Sequence, residues 1–428
     1  MTADAAPTSP SRPPWWKSIG PALIAACVVF GPGSLLISSN VGANYGYELL
    51  WLLLLTGVLM GAYLTMGARV GVCGGATPCT LVAERLGRPA AAIIGGTLCL
   101  ICAAFQFSNN LAVALAAGAF VPAAAVPWIV AGFNALVVVF LFFARQVYRV
   151  LERVMKVMVG VMLVCFAFNL FVAGPSWKEV LAGFVPGFPG GLHPGFPAKA
   201  EGAIHDPMIL VASLLGTTFS VAAAFFQGNL VRERDWSVKD YEGSVGDALA
   251  GVCVLTAVSM IIMITAGATI RGEPATDIGT LALALKPLLG GTAYWVFCLG
   301  LVAVAMNPFV INAMIGGTIL ADGLGLPARM SDRWPRLLTV GVMLVGMGVA
   351  LGALSTGKKP VPLIIFGQAL TVLGNPLMAI TLLWLANRRD VMGDRRNGPV
   401  ANTLGALGLL VVLFMAARVL WRIVLQLN

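Results

Sequence analysis

Charge is what this sequence most lacks. Only 11% of its 428 residues are Asp, Glu, Lys or Arg, against 59% hydrophobic, and the mean hydropathy is +0.90. A soluble core with a polar coat cannot accommodate that ratio, which excludes a water-soluble globular class. Histidine is nearly absent as well, and both copies, His193 and His205, fall in one Gly/Pro-rich stretch at about 175–206. The 18 acidic residues lie in tails, in loops or at the ends of hydrophobic runs, with Glu48, Glu84, Glu152, Glu233, Asp247, Asp322 and Asp390 nearest the membrane. With no mid-membrane acid, histidine or metal cluster, the chain is not expected to be an enzyme. The eight cysteines sit mostly inside apolar runs without a pairing pattern and read as small buried hydrophobes. Cys99 and Cys102, one helical turn apart, read as packing residues rather than as a metal pair. A cleavable leader is not expected either, because the first hydrophobic run is too long and further runs follow it.

What the chain has instead is apolar length. A bilayer core about 30 Å thick takes about 20 apolar residues per helix, and runs of that length recur from 19–46 to 401–425, eleven in all. The expected fold is an all-α integral membrane protein. Residues 1–16, rich in Pro, Ser and Ala, read as a disordered cytoplasmic tail ending at interfacial Trp15 and Trp16, and 17–428 as a single transmembrane domain. The net charge of +9 follows topology rather than nucleic-acid binding. With the N-terminus inside, most of the 27 basic residues, including Arg85, Arg88, Arg145, Arg149, Arg153, Arg232, Arg234, Arg388 and Arg389, fall on the cytoplasmic side. An odd number of helices then leaves the C-terminus outside. The expected location is the inner (plasma) membrane, with the lipid bilayer and a small inorganic ion as partners, and no nucleic acid or obligate protein partner. The stretch at 175–206 reads as a solvated external loop. Its trio Glu201, His205 and Asp206 is set aside as a metal site, because Gly/Pro flanks do not preorganise ligands.

Two runs are interrupted at matching places. The first contains Phe30-Gly31-Pro32-Gly33-Ser34 and the sixth Gly216-Thr217-Thr218-Phe219-Ser220. Pro between two glycines inside a spanning helix frees N–H and C=O groups that lipid cannot satisfy, so they must face protein, a cavity or a ligand. A matched pair of broken helices points to a midplane site in an inverted-repeat transporter; the plain alternative is a packing kink, which is easier to sustain for the sixth run, where no Pro occurs.

Several motifs resemble one family. Gly20-Pro21, the Pro32-Gly33 break, Tyr45-Gly46-Tyr47 and Leu49-Leu50-Trp51 are similar to the first two helices of the Nramp family of proton-coupled divalent-metal transporters. Tyr148-Arg149 with Leu151-Glu152, Gly183-Phe184-Val185-Pro186, Gln368 and Arg388-Arg389-Asp390-Val391-Met392-Gly393 continue the resemblance in order and spacing, over about 18–425. It implies a leucine-transporter-like architecture. Helices one to five (about 17–174) and six to ten (about 207–386) would be inverted repeats, with an eleventh helix at about 401–425.

The family's functional side chains are not carried over. Its Asp-Pro-Gly-Asn motif is matched here by Gly31-Pro32-Gly33-Ser34, and its Met-Pro-His motif by Ser220-Val221-Ala222. The acidic pair that the family associates with proton transfer is matched by Gln106 and Asn109, which do not titrate. Without mid-span acid, and with helix N-termini at the breaks, the site is expected to favour a small monovalent anion such as bicarbonate. Gly31, Pro32, Gly33, Ser34, Thr217, Thr218, Ser220 and Gln368 would bind it. Uptake against a negative interior costs about 2.3 kcal/mol per charge per 100 mV, so a coupling cation is needed. Na⁺ held by Val28, Val29 and Asn307 is the expected one, although Asn307 beside Pro308 reads equally as a kink repair. No other cofactor is expected. The alternative cargo is a divalent metal, Mg²⁺ or Mn²⁺. Asn109, Asn110 and Asn312 read chiefly as interhelical hydrogen-bonding residues. Gln227, Asn229 and Arg232 read as lining an inner vestibule, or Arg232 with Glu233 as an interfacial ion pair.

Overall fold

The computed structural model describes residues 30–142, 145–190, 192, 194–200, 203–273 and 275–427. Residues 1–16, together with Val28 and Val29, lie outside them. The described chain is almost entirely helical. Eight helical stretches are long and apolar enough to cross a membrane. The fourth and fifth hydrophobic runs are shorter apolar helices, Ala123–Val139 and Gly160–Val172, and the first is described only from Phe30 onward. The expected count of eleven is therefore not established as eleven full spans.

The first helix, α1 (Pro32–Tyr45), starts where its sequence requires. Gly31 is extended at φ −109°, ψ 167°, and Pro32 opens the helix, where its missing N–H costs nothing. α2 (Leu50–Gly74) ends on Gly75 in the left-handed region. α3 (Pro78–Leu86) is capped by Thr77, whose hydroxyl accepts from the Thr80 N–H at 3.4 Å. α4 (Arg88–Ala117), α5 (Val126–Phe142), α6 (Arg145–Val172) and the short α7 (Trp177–Ala182) follow. After a two-stranded hairpin, β1 (Ala198–Ala200) with β2 (Ala203–His205), come α8 (Ile209–Thr218) and α9 (Val221–Glu233). α10 (Val238–Thr269), α11 (Ile278–Ala282) and α12 (Lys286–Leu289) lead to the long α13 (Ala293–Leu324), which carries Pro308 inside it. α14 (Arg333–Ser355), α15 (Pro360–Leu370), α16 (Asn375–Asn387), α17 (Arg389–Met392) and α18 (Pro399–Leu427) complete the chain.

Helix crossings are made by small residues, as expected where lipid supplies no hydrophobic drive between helices. A Cβ on Gly67 of α2 would stand 1.9 Å from the Ala224 carbonyl of α9, and one on Gly42 of α1 would stand 2.3 Å from the Met263 carbonyl of α10. The broken helices are thus pinned backbone against backbone.

Charges collect at the two ends of the bundle. At one end Arg85 and Arg388 hold Asp390 at 2.8 Å and 2.7 Å, and these hydrogen bonds, Arg388 first, draw its carboxyl down to about 2. At the other end Arg271 reaches Glu179 at 3.2 Å and Glu48 at 3.5 Å. Each of these clusters draws its members from distant parts of the chain.

The stretch 175–206 is largely exposed, as expected of a solvated loop, but it is anchored to the helices at several points. Trp51 Nε1 donates to Gly187 O at 2.9 Å, and Trp421 Nε1 donates to Pro197 O at 3.1 Å. Arg418 of α18 bonds Gly195 O at 3.1 Å and forms an ion pair with Asp206 at 3.1 Å, both side chains being 1% exposed. Arg422 reaches the other Asp206 oxygen at 3.2 Å. The Asp206 carboxylate is therefore committed to two guanidinium groups, which rules it out as a member of the metal trio. Among the described residues no cluster of three His, Cys, Asp or Glu is placed to hold a metal; Glu201 and His193 lie outside the described residues.

Candidate functional site

The sixth-run break is present, and in the first run a helix starts at Pro32, the residues before Phe30 lying outside the described ones. The sixth run stops as α8 at Thr218, passes through Phe219 (φ −109°, ψ 66°) and Ser220 (φ −81°, ψ 88°), and resumes as α9 at Val221. Ser220 is used locally, since its hydroxyl accepts from the Ala223 N–H at 3.4 Å as the cap of α9. Thr217 and Thr218 also turn back on their own helix, donating to Leu214 O at 2.9 Å and 2.7 Å. Thr218 additionally approaches Thr56 of α2 at 3.3 Å. The three hydroxyls sit at the break as expected, but each already has a partner.

The element that joins the breaks is Gln368, near the end of α15. A Cβ on Gly33 would meet Gln368 Nε2 at 2.4 Å, and a Cβ on Gly216 would meet the Gln368 carbonyl at 2.2 Å. The amide of Gln368 therefore lies on the opening turn of α1, while its backbone lies on the last turn of α8. Its Oε1 is buried without a hydrogen-bond partner, a state that costs about 1–3 kcal/mol unless something binds it. Ser34 is 7% exposed in the first turn of α1, and Ser38 and Ser39 further along carry buried hydroxyls with no partner. Gly31 is met from the other side by Pro308 of α13 at 3.3 Å from its notional Cβ. Asn307, which precedes Pro308 in the chain, is therefore near the start of α1 at the level of the backbone. Val28 and Val29 lie outside the described residues, so the expected coupling-ion site is placed only through α13.

Gln106 and Asn109 on α4 are buried and bond to each other, Asn109 Nδ2 donating to Gln106 Oε1 at 3.0 Å. They form no charged relay. Asn110 does join helices as expected, accepting from Asn134 of α5 at 2.6 Å, whereas Asn109 bonds within its own helix.

The tenth run stays helical but tightens partway along. The tenth run is α15, then a tight turn over Thr371–Gly374, then α16. Asn375 at the head of α16 donates from Nδ2 to the Phe219 carbonyl at 3.3 Å, holding one of the carbonyls freed by the sixth-helix break. Gly374-Asn375-Pro376 was the available signal, a glycine and a proline flanking an amide inside an apolar run. The start of α1, the sixth-run break and the tightened turn after α15 thus meet at a small polar patch. Its side-chain donors are neutral oxygens and amides, with no thioether and no acid.

Comparisons with known proteins bear on the family and the fold. The family model for natural resistance-associated macrophage protein-like (Nramp) chains matches residues 22–422. A divalent metal cation transporter MntH of Verminephrobacter eiseniae is 25% identical over 387 residues, covering 88% of this chain and 83% of that protein. Its namesake from Deinococcus radiodurans is 25% identical over 422 residues, covering 95% and 89%. Among solved structures, the Eremococcus coleocola manganese transporter superposes with a TM-score of 0.74 at 18% identity, over 97% of this chain and 88% of that one. Mhp1, a nucleobase-cation-symport-1 family transporter, superposes with a TM-score of 0.55 at 14% identity over 94% and 91%. These last two likenesses speak for the fold.

Proposed function

Because the chain belongs to the Nramp family, a family of membrane transporters and not of enzymes, we propose that its cargo is a divalent metal ion, Mg²⁺ or Mn²⁺, carried with part of its water shell. The observation that carries this reading is the end of α8 at Thr218. The expectation of a small anion weighed only helix N-termini. At this break a helix C-terminus also points in, and its carbonyls carry the negative end of the helix dipole, worth about 0.3–1 kcal/mol toward a cation. The orphaned Gln368 Oε1 and the Ser34 hydroxyl add neutral oxygen. Oxygen donors without a thioether suit hard cations, and a site poor in charge suits one that keeps several waters. The relatives named above are described as divalent metal cation transporters, and none of them supports the Na⁺-coupled bicarbonate reading. The positive-inside rule further favours the Arg85 end as the cytoplasmic one.

The test is uptake into proteoliposomes of Mn²⁺, read by quenching of an entrapped fluorophore, and of Mg²⁺, read by an entrapped indicator. Labelled bicarbonate and replacement of Na⁺ by choline are run in parallel. Metal uptake that ignores bicarbonate and Na⁺ is the expected result. Bicarbonate uptake without metal uptake would return the site to the anion reading. A second expectation separates the two by charge. Ser34→Asp adds an anionic oxygen at the first turn of α1 and should tighten Mn²⁺ by about tenfold, a gain of about 1.4 kcal/mol; an anion carrier would lose its substrate instead.

A further inference from the structure

A second polar cavity lies away from the helix breaks, at the Arg85 end of the bundle. It encloses about 350 Å³ between α3, α9, α13 and the segment after α13. Asp322 of α13 lines it. Its carboxylate is buried, the residue being 4% exposed, and among the described residues it forms no salt bridge. Arg88 directs its guanidinium to the Asp322 backbone carbonyl, at 3.1 Å. The carboxylate instead accepts neutral hydrogen bonds, from Thr77 Oγ1 at 2.7 Å and Thr80 Oγ1 at 3.1 Å on one oxygen and from Asn229 Nδ2 at 3.0 Å on the other, and the buried Cys79 thiol also bonds it. Neutral donors offset only part of the cost of burying a charge, which is several kcal/mol per ion after relaxation.

Two further lining groups are left unsatisfied, and both are oxygens. Thr318, one turn before Asp322 on α13, is 2% exposed and its hydroxyl has no partner. Asn229, 5% exposed, gives its Nδ2 to Asp322, which leaves its buried Oδ1 without one. Each such group costs about 1–3 kcal/mol. A carboxylate with no described counter-charge and two orphaned oxygens, all on residues that line one cavity, are together met by a bound cation that keeps part of its water.

The size of the cavity decides which kind. A dehydrated ion needs a close cage, whereas 350 Å³ leaves room for an ion with several waters at about 30 Å³ each. One carboxylate, neutral oxygens and retained water make up the donor set of a hard divalent cation. The more exposed part of the lining does not oppose it, since Glu233 and Asp235 balance Arg232 and Arg329.

We infer that the Asp322 cavity is a second binding site for a partly hydrated divalent cation, a waypoint between the helix breaks and the aqueous phase at the Arg85 end. α9 links the two sites, with Ser220 capping its start and Asn229 lying about 13 Å along it at 1.5 Å per residue. Cation binding here stands independently of what crosses the midplane.

The test uses the purified full-length chain in detergent with Mn²⁺ alone as probe, free Mn²⁺ being read by electron paramagnetic resonance. Asp322→Asn should weaken one class of Mn²⁺ site by about 10–100-fold. Thr318→Val, which removes a hydroxyl that no bond in the fold uses, should keep the wild-type melting temperature and weaken the same class to a smaller degree. Mg²⁺ should displace Mn²⁺ from that class, and Na⁺ at equal concentration should not. Wild-type stoichiometry and affinity in both variants would overturn the site. Sensitivity to Asp322→Asn in a protein that moves no metal in liposomes would uphold it while removing the transport reading. Metal flux with binding indifferent to both substitutions would do the reverse.

Discussion

Asp206→Asn should lower the stability of the folded protein by about 3–5 kcal/mol, the cost of breaking a buried ion pair by removing one partner. Asp206 is 1% exposed and accepts from Arg418 at 3.1 Å and Arg422 at 3.2 Å, so the amide would leave two guanidinium groups facing no described carboxylate. They are already under-satisfied, because Arg418 Nη1 and Arg422 Nε have no partner. The penalty should propagate. Asp206 precedes α8 by three residues and bonds the Met208 N–H at 3.2 Å, so losing its anchor frees the start of the helix that ends at the functional break. Arg422→Met makes the contrast, since it keeps the more buried Arg418 pair and removes surplus positive charge; its melting temperature should stay near that of the wild type. The check is thermal unfolding of both variants in detergent. Equal melting temperatures for Asp206→Asn and the wild type would mean that the segment before α8 is not held by this cluster.

Gly216→Ala should abolish most transport without removing any polar group. The added methyl would lie 2.2 Å from the Gln368 carbonyl and 2.7 Å from Thr371 Oγ1. A backbone carbonyl cannot rotate away as a side chain can, so α8 and α15 must separate. Overpacking of this kind costs about 1–3 kcal/mol, which lowers the population of the arrangement in which α8 and α15 touch, and with it flux, by about 10–100-fold. The comparison is Gly33→Ala, whose methyl meets the flexible end of Gln368 at 2.4 Å. That side chain can move, so the defect should be smaller and should fall on metal affinity rather than on maximal rate. Similar flux from Gly216→Ala and the wild type would show that α8 and α15 need not touch during transport.

What the sequence revealed about this molecule, and what it concealed, follows from how local each signal is. Pro32 between two glycines forces a helix start within one residue of where it occurs, because ring geometry and the missing N–H act on the nearest turn. The sixth-helix break was found without a proline because Gly216 and the Thr-Thr pair weaken the helix where it ends. The tenth run carries a similar signal at Gly374-Asn375-Pro376, but there it only tightens one turn, and the run crosses as one helix as its apolar length implies. The anchoring of the stretch 175–206 was not legible because its partners Arg418 and Trp421 lie more than 200 positions later in the chain; no window of sequence contains both sides of that contact. The anion expectation and the metal proposal differ on a geometric point. A break in a helix always exposes a C-terminus as well as an N-terminus, and which of them faces the cargo depends on how α1, α8 and α15 pack. Gln368, placed at the site through a family resemblance, is indeed where those three helices meet.

The most direct test of the account is the sign of the charge that the protein moves. Proteoliposomes adsorbed on a solid-supported membrane and given a jump of MnCl₂ or MgCl₂ should produce a current of positive charge into the vesicles, diminished in Gly216→Ala and absent from protein-free liposomes. A current of the opposite sign on a bicarbonate jump, with no response to either metal, would contradict it.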